Sequence, residues 1–315
     1  MSQLFDTVAL IGIGLIGSSI SHATRRAGLA RRIVGAAKTE ATRATALRLG
    51  LVDEVFANPA DAVKEADLVI LCVPVRACGP VAAEISKSLK PGAILTDVGS
   101  VKGSVVADVG PHVPAGVHFV PGHPIAGTEH SGPEAGFAEL FDGRWCVLTP
   151  PPGADNAAVD RLRSYWKGLG SNVEIMAPDH HDMVLAITSH VPHLIAFNIV
   201  NTAAHLERVT ESEVIKFSAG GFRDFTRIAA SDPTMWRDVF LTNRTAMIEM
   251  LGRFTEDLLH LQRAMRFGDG ETLFRMITEA RHIRRGIIEA GQDTAAPDFG
   301  RHQGGSAAPA TGQKS

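Results

Sequence analysis

The feature that most constrains the fold of this chain is a glycine-rich run close to the N-terminus, GIGLIG. It follows an apolar, β-branched stretch (8–13) and opens a helical pattern (15–27). In that context the glycines are typical of a dinucleotide loop, in which they permit a tight turn, close approach of the pyrophosphate and close helix–strand packing. We therefore predict that the whole run binds a dinucleotide: Gly12, Ile13, Gly14, Leu15, Ile16 and Gly17.

Strand and helix patterns alternate through the first half of the chain. The all-apolar run 68–73 suits a strand buried on both faces of a parallel sheet, and its last residue, Val73, is a further candidate cofactor contact. A helix (156–169) and a strand (173–176) follow the proline-rich run 150–153. The pattern predicts an α/β, Rossmann-type nucleotide-binding domain over residues 1–177.

From Pro178 onward the chain shows helical periods and almost no strand signal. Helices are predicted over 179–204, 212–217, 233–262 and 270–290, which gives an all-α domain over 178–290. The apolar stripe of the long helix indicates a homodimer interface, and an ordinary monomeric helical domain is the alternative. The tail, residues 291–315, is rich in Gly, Ala, Pro and Ser, so we expect it to be disordered.

Composition excludes several other classes of protein. A net charge of −3 gives no electrostatic footprint for nucleic acid or an anionic membrane. We find no apolar run of membrane-spanning length and no signal peptide, so we expect a cytoplasmic protein without a membrane partner. Three cysteines form neither a disulfide framework nor a zinc site. The polar run 179–182 is interpreted as the start of a helix, and no metal is expected.

The second strand leaves the choice of dinucleotide open. This strand normally ends in an acid that binds the adenosine ribose of NAD, but here the first acid after it is Glu40. Lys38 is therefore a candidate contact to the 2′-phosphate of NADP. The alternative is that Lys38 faces solvent and NAD binds without the acid.

Three polar segments are poorly explained by packing. Asp97–Lys102 follows a strand and contains Ser100 and Lys102, which packing alone would make a helix cap and part of its first turn. The second segment, 122–132, places His123 between Gly and Pro, and a histidine suits proton transfer near neutral pH. Thr128 and Glu129 add polar groups to the same loop.

The third segment lies in the helical region and has two parts. SHVPH carries His190 and His193, and GGFRDFTR carries Asp224 and Arg227, followed by Trp236. Two arginines beside a glycine pair indicate recognition of a carboxylate, because guanidinium binds it as a bidentate fork.

The runs GIGLIG, DVGSVKG, GHPIAGTEHSG, SHVPH and GGFRDFTRIAASDPTMWRD resemble the prephenate and arogenate dehydrogenase family of tyrosine biosynthesis. The resemblance extends from about Val8 to about Ala290. It implies a nucleotide-binding domain, a dimerising helical domain, and NAD(P)⁺-dependent oxidation of the ring alcohol with loss of CO2. The resemblance slightly favours NAD as the cofactor, whereas Lys38 keeps NADP as an alternative.

The resemblance also implies roles for individual residues. His123 would take the proton of the ring hydroxyl, Ser100 would help to hold that hydroxyl and His123, and Arg227 would bind a substrate carboxylate. His193, Glu129 and Asp224 would line or gate the substrate pocket, with His190 and Trp236 nearby. Thr128, in the same loop as Glu129, is a further candidate substrate contact. No residue distinguishes prephenate from arogenate.

Two other functions are carried as alternatives. One is a different dehydrogenase with a helical second domain, of the β-hydroxyacid or pyrroline-carboxylate type. The other is a non-catalytic protein that senses NAD(P), which would not need His123, Ser100 and Arg227 together.

Overall fold

The computed structural model describes residues 3–128, 130–205, 213 and 216–289. Its centre is a six-stranded parallel sheet with strand order β3-β2-β1-β4-β5-β6. The strands are β1 (Phe5–Ile11), β2 (Ala30–Ala36), β3 (Glu54–Phe56), β4 (Leu68–Leu71), β5 (Ile94–Asp97) and β6 (His118–Phe119). The order reverses between β1 and β4, which is the switch point of a doubly wound sheet. The predicted α/β class is confirmed.

Helices cover this sheet on both faces. They are α1 (Leu15–Ala27), α2 (Glu40–Arg48), α3 (Pro59–Ala62), α4 (Cys78–Ile85), α5 (Lys102–Val109) and α6 (Asn156–Gly168). The two-residue period of β1 divides its side chains between two apolar clusters. Val8 and Leu10 join the cluster that contains Trp166, whereas Ala9 and Ile11 join the other.

A second, three-stranded sheet carries the segment around His123. Its strands are β7 (Gly122–Pro124), β8 (Trp145–Leu148) and β9 (Asn172–Ile175), with β7 antiparallel and β9 parallel to β8. His123 was expected in a loop after a strand, but it lies within β7 and pairs with Val147. The ladder therefore fixes the backbone of His123.

The rest of the described chain is helical. It comprises α7 (Pro178–Leu185), a π-helical turn (Ala186–His190), α8 (Val191–Ala204), α9 (Gly220–Thr226), a 3₁₀ turn (Arg227–Ala230), α10 (Pro233–Thr242), α11 (Arg244–Phe267) and α12 (Gly270–Glu289). Pro192 has no N–H to donate to the carbonyl four residues earlier, which accounts for the π-helical turn before it.

The prediction of one helix over 233–262 is wrong, because α10 ends at Thr242 and a new helix begins at Arg244 after Asn243. The backbone there leaves helical geometry (φ −96°, ψ 30°). The amide of Asn243 donates to the carbonyl of Asp182 at 2.8 Å and lies 3.1 Å from Nδ1 of His190. These contacts to a distant helix hold the break in place.

The chain divides into two compact units. One contains Met1–Lys216 and Thr226–Leu251, and the other contains Phe217–Phe225 and Gly252–Ser315. Large apolar side chains of the second unit are exposed: Leu258, Leu259, Met265, Phe267, Phe274, Ile277, Ile283 and Ile287. Part of the predicted helix over 212–217, and the expected disordered tail 291–315, lie outside the described residues.

The expectation of no apolar run of membrane-spanning length is wrong for one helical stretch, 178–204, which is long enough to cross a membrane by length and composition alone. It also contains three buried polar residues: His181, Asp182 and His190. Asp182 accepts hydrogen bonds from the start of α5, so this stretch is bound to α5 within the first unit.

Candidate active site

The glycine loop has the geometry that the motif requires. Gly12 adopts φ +99°, and a Cβ there would lie 2.5 Å from the carbonyl oxygen of Cys72. A Cβ on Gly17 would collide with the carbonyl oxygen of Gly12. At Gly14, by contrast, no atom lies within 4 Å of the Cβ position, and no side chain caps α1. The loop thus leaves open space in front of the N-terminus of α1, which fits a pyrophosphate.

The loop lies at the switch point of the sheet, where dinucleotides bind in folds of this kind. Gly12 follows β1, and Val73 follows the neighbouring strand β4. The side chain of Val73 lies 3.1 Å from the Cβ position of Gly12. The structure therefore brings Val73 and the predicted glycine loop together.

Cationic side chains surround the tip of β2. Lys38 is exposed, and Thr39 caps α2 by accepting from the N–H of Thr42. The guanidinium of Arg43 donates from Nη1 to the carbonyls of Ala37 and Lys38, at 2.8 Å each. Arg43 was not predicted, because its position beside the tip depends on the turn between β2 and α2.

His123 lies in β7 with only 8% of its surface exposed. Its Nδ1 atom is 2.8 Å from Nε2 of His181, and the two rings meet edge to face at a centroid distance of 5.1 Å. Because Nδ1 is engaged, Nε2 is the nitrogen of His123 that can accept a proton from a substrate.

The run 179–182 forms the start of α7, as predicted, but two of its residues, His181 and Asp182, also belong to the site. Both are buried, whereas Asp179 and His180 are exposed. The carboxylate of Asp182 lies 2.8 Å from Nδ1 of His181. It also accepts hydrogen bonds from the backbone N–H of Lys102 (2.7 Å) and of Gly103 (2.8 Å), and so caps α5.

A fully buried ion pair joins the end of β5 to the start of α5. Lys102 pairs with Asp97, and its ammonium also donates to the carbonyl of Gly122 at 2.6 Å. Asp97 in turn accepts from the N–H of Gly99 (2.7 Å) and of Gly122 (3.2 Å). Lys102, which packing alone would place in the first turn of a helix, therefore anchors the residue next to His123. Ser100 is half-buried in the same loop.

Burial keeps the site histidines neutral. Burial, with the nearby His181 and the charge of Lys102, holds the pKa of His123 well below its usual range. Burial also lowers the pKa of His181, although Asp182 opposes that shift. Burial lowers the pKa of His190 to about 4. At neutral pH all three side chains are therefore uncharged.

A further group of predicted residues lies around α8 and α10. His193 stacks on Trp236 at a centroid distance of 3.6 Å, and His190 meets the same indole edge to face at 6.0 Å. Nδ1 of His193 donates to the carbonyl of Ser189 at 2.8 Å. The structure thus brings His190, His193 and Trp236 together.

Arg227 lies near this group. It is exposed in the 3₁₀ turn that packs against α8, and its charge adds to the burial that lowers the pKa of His193. Thr128 is half-buried. Glu129 lies outside the described residues, and Asp224 belongs to the second compact unit.

No three His, Cys, Asp or Glu side chains group into a metal site within the described ranges. The cysteines are free thiols, and burial raises the pKa of Cys78 to about 12. Such thiols are protonated and unreactive at neutral pH.

Two family models match the chain over most of its length. Residues 20–175 match the nucleotide-binding domain of prephenate dehydrogenase, and residues 177–279 match its dimerization domain.

Curated relatives carry related descriptions. The cyclohexadienyl dehydrogenase of Zymomonas mobilis is 42% identical over 281 residues, which is 89% of this chain and 96% of the relative. The prephenate dehydrogenase of Bacillus subtilis is 35% identical over 300 residues, which is 95% of this chain and 80% of the relative.

Two solved structures are similar in fold. The prephenate dehydrogenase of Aquifex aeolicus, in complex with hydroxyphenyl propionate and NAD⁺, superposes with a TM-score of 0.83 at 36% identity and covers 91% of this chain and 99% of its own. The arogenate dehydrogenase of Synechocystis gives a TM-score of 0.76 at 26% identity, and the match covers 89% of this chain and 99% of the Synechocystis chain.

Two alanine substitutions in the glycine loop should separate folding from dinucleotide binding. Gly17→Ala places a methyl group against a backbone carbonyl, so the free energy of unfolding should fall by about 1–3 kcal/mol. Gly14→Ala has room, so its stability should change by at most about 1 kcal/mol while dinucleotide affinity falls about tenfold or more. Urea unfolding and calorimetric titration measure the two effects. Wild-type stability in Gly17→Ala would contradict this account of the loop.

Removing the buried cation should be costly. Lys102→Met leaves the carboxylate of Asp97 buried without its partner, and we expect a loss of about 3–5 kcal/mol in the free energy of unfolding. The matched control is Lys64→Met, which removes an exposed pair with Asp61 and should cost at most about 1 kcal/mol. Urea unfolding compares them, and equal losses would argue against the anchoring role of Lys102.

Proposed function

The chain belongs to the prephenate dehydrogenase family, and from that premise we propose that it oxidises and decarboxylates prephenate, arogenate or both in tyrosine biosynthesis. It is an NAD(P)-dependent oxidoreductase, and the relatives named above carry descriptions of that activity. The observation that carries the proposal is His123. It is buried, uncharged at neutral pH and engaged at Nδ1, which leaves Nε2 to act as a base.

The proposed step begins at the ring alcohol of the substrate. Nε2 of His123 accepts the hydroxyl proton while a hydride leaves the carbon that bears this hydroxyl. This hydride would be accepted by the nicotinamide ring of the bound dinucleotide. Loss of the ring carboxylate as CO2 then makes the ring aromatic, which drives the reaction forward. The product is 4-hydroxyphenylpyruvate from prephenate and tyrosine from arogenate.

Other residues would hold the substrate. Arg227 is proposed to bind a carboxylate, and the stacking of His193 on Trp236 fixes an aromatic surface near that guanidinium. Ser100, in the loop before α5, is proposed to hold the reacting hydroxyl. His190, Thr128, Glu129 and Asp224 are proposed to line or gate the pocket.

The direct test is an assay of both substrates with both cofactors. We expect the wild type to reduce a nicotinamide dinucleotide with at least one of prephenate and arogenate. His123→Asn should keep its dinucleotide affinity and lose about 10²–10⁴-fold in kcat, the usual contribution of a positioned base. Near-normal turnover in His123→Asn would remove His123 from the chemistry, and an inactive wild type would refute the proposed function.

The acid side of the pH profile offers an independent check. His123 must be neutral to act, and its depressed pKa means that kcat/KM should hold its pH 7.5 value down through pH 6.5 and decline only below that. The rate as a function of pH, measured in a constant-ionic-strength buffer, tests this. A decline centred at or above pH 6.5 would contradict the assignment.

We propose that the dinucleotide site accepts NADP as well as NAD. Rossmann folds that prefer NAD place an acid at the tip of β2, where its charge repels a 2′-phosphate. Here the tip carries Ala37 and Lys38, and Arg43 is hydrogen-bonded to it. The missing acid and the two cations support acceptance of the extra phosphate.

Introducing an acid at the tip of β2 should shift the cofactor preference toward NAD. In Ala37→Asp we expect kcat/KM for NADP to fall about tenfold or more relative to NAD, because the carboxylate repels the 2′-phosphate. Lys38→Ala, as the matched loss of a cation, should weaken NADP and leave NAD unchanged. Initial rates with each cofactor give the ratio of kcat/KM for NADP to kcat/KM for NAD. An unchanged ratio in both variants would mean that residues outside the tip of β2 select the cofactor.

The exposed apolar residues of α11 and α12 support a homodimer through the helical domain, for which we retain the bounds 178–290. Burying such a surface against a second copy removes apolar area from water, which favours association. We place the protein in the cytoplasm, where a biosynthetic dehydrogenase meets its cofactor.

A further inference from the structure

Two hydrogen bonds join Asp182 to His181 and His181 to His123, and together they fix which ring nitrogens carry a proton. The carboxylate of Asp182 only accepts, so the neighbouring Nδ1 of His181 carries a proton. Neutral His181 then has a bare Nε2, which accepts from Nδ1–H of His123. His123 is left with its lone pair on Nε2, which is the form a base needs.

We propose that His123, His181 and Asp182 form a proton relay, with His181 as a positioning residue that also receives charge. The inference rests on the proposed function and extends it. As Nε2 of His123 gains the substrate proton, Nδ1 of His123 passes its own proton to Nε2 of His181. One proton enters the pair and one moves within it, so the positive charge ends on His181 beside Asp182.

The charges around the two rings favour that transfer. Burial and the ammonium of Lys102 disfavour a cation on the ring of His123. His181 contacts the carboxylate of Asp182 and is also influenced by Asp97, and both favour a cation there. The ammonium of Lys102 acts against the cation on either ring. Burial disfavours a cation on His181 as well, but there two carboxylates oppose that effect, so the charge is less unfavourable on His181 than on His123.

The acceptor end of the relay is rigid. Besides His181, the carboxylate of Asp182 binds two backbone N–H groups at the start of α5. A Cβ on Gly103 would lie 2.8 Å from this carboxylate, so the helix start fits closely around it. Asn243 holds the backbone carbonyl of Asp182 at 2.8 Å. These contacts keep the carboxylate aligned with His181 without a change of rotamer.

The wild-type enzyme gives the first test, which no folding defect can obscure. Single-turnover rates are measured in mixtures of H2O and D2O, with the substrate deuterated at the hydride-donating carbon so that chemistry limits the rate. A relay moves two protons in the transition state, so a plot of the rate against the fraction of D2O in the solvent should be curved. A straight line means that one proton moves and overturns the relay. An enzyme inactive with both substrates would instead refute the proposed function.

The second test removes the receiving histidine. His181→Gln keeps a hydrogen-bonding side chain but cannot carry the charge, so kcat should fall about tenfold to 10²-fold. The dependence on deuterium fraction should become linear, and the affinity for NADH should stay within about twofold of wild type. His180→Gln, an exposed neighbour on the same helix, is the matched control and should behave as wild type. Wild-type kcat with unchanged curvature in His181→Gln would overturn the proposal.

Discussion

The arrangement of the site depends on one buried ion pair, between Asp97 and Lys102. Neither side chain reaches solvent, and burying two charges costs several kcal/mol per ion unless they are paired and hydrogen-bonded. Here the N–H groups of Gly99 and Gly122 and the carbonyl of Gly122 complete the hydrogen bonds. The pair therefore holds the end of β5, the start of α5 and the first residue of β7 in one arrangement.

The position and chemistry of His123 follow from that arrangement. His123 is the residue after Gly122, so the anchor that orients Gly122 also sets the start of β7. The ammonium of Lys102 contributes to the low pKa of His123, which keeps the ring available as a base. Asp182 accepts hydrogen bonds from the N–H groups of Lys102 and Gly103 at the start of α5. This contact positions the neighbouring His181 so that its Nε2 lies beside Nδ1 of His123.

Local motifs were predictable from the sequence, and contacts between distant segments were not. The glycine loop and the parallel sheet could be predicted because spacing and periodicity act within about 30 residues. Lys102, His181 and Asp182 each had an adequate local explanation as polar residues at a helix start. Their partners are far away in sequence: Asp182 meets Lys102 across 80 positions and His181 meets His123 across 58. The break at Asn243 was missed for the same reason, since its contact to Asp182 spans 61 positions.

The central claim is that this network leaves His123 neutral, with its proton on Nδ1 and its lone pair on Nε2. Nitrogen-15 NMR of protein labelled at histidine measures this directly, because protonated and bare ring nitrogens resonate far apart. At pH 7 we expect His123 to show a protonated Nδ1 and a bare Nε2, and His181 to show the same tautomer. A proton on Nε2 of His123, or a doubly protonated ring at this pH, would contradict the account.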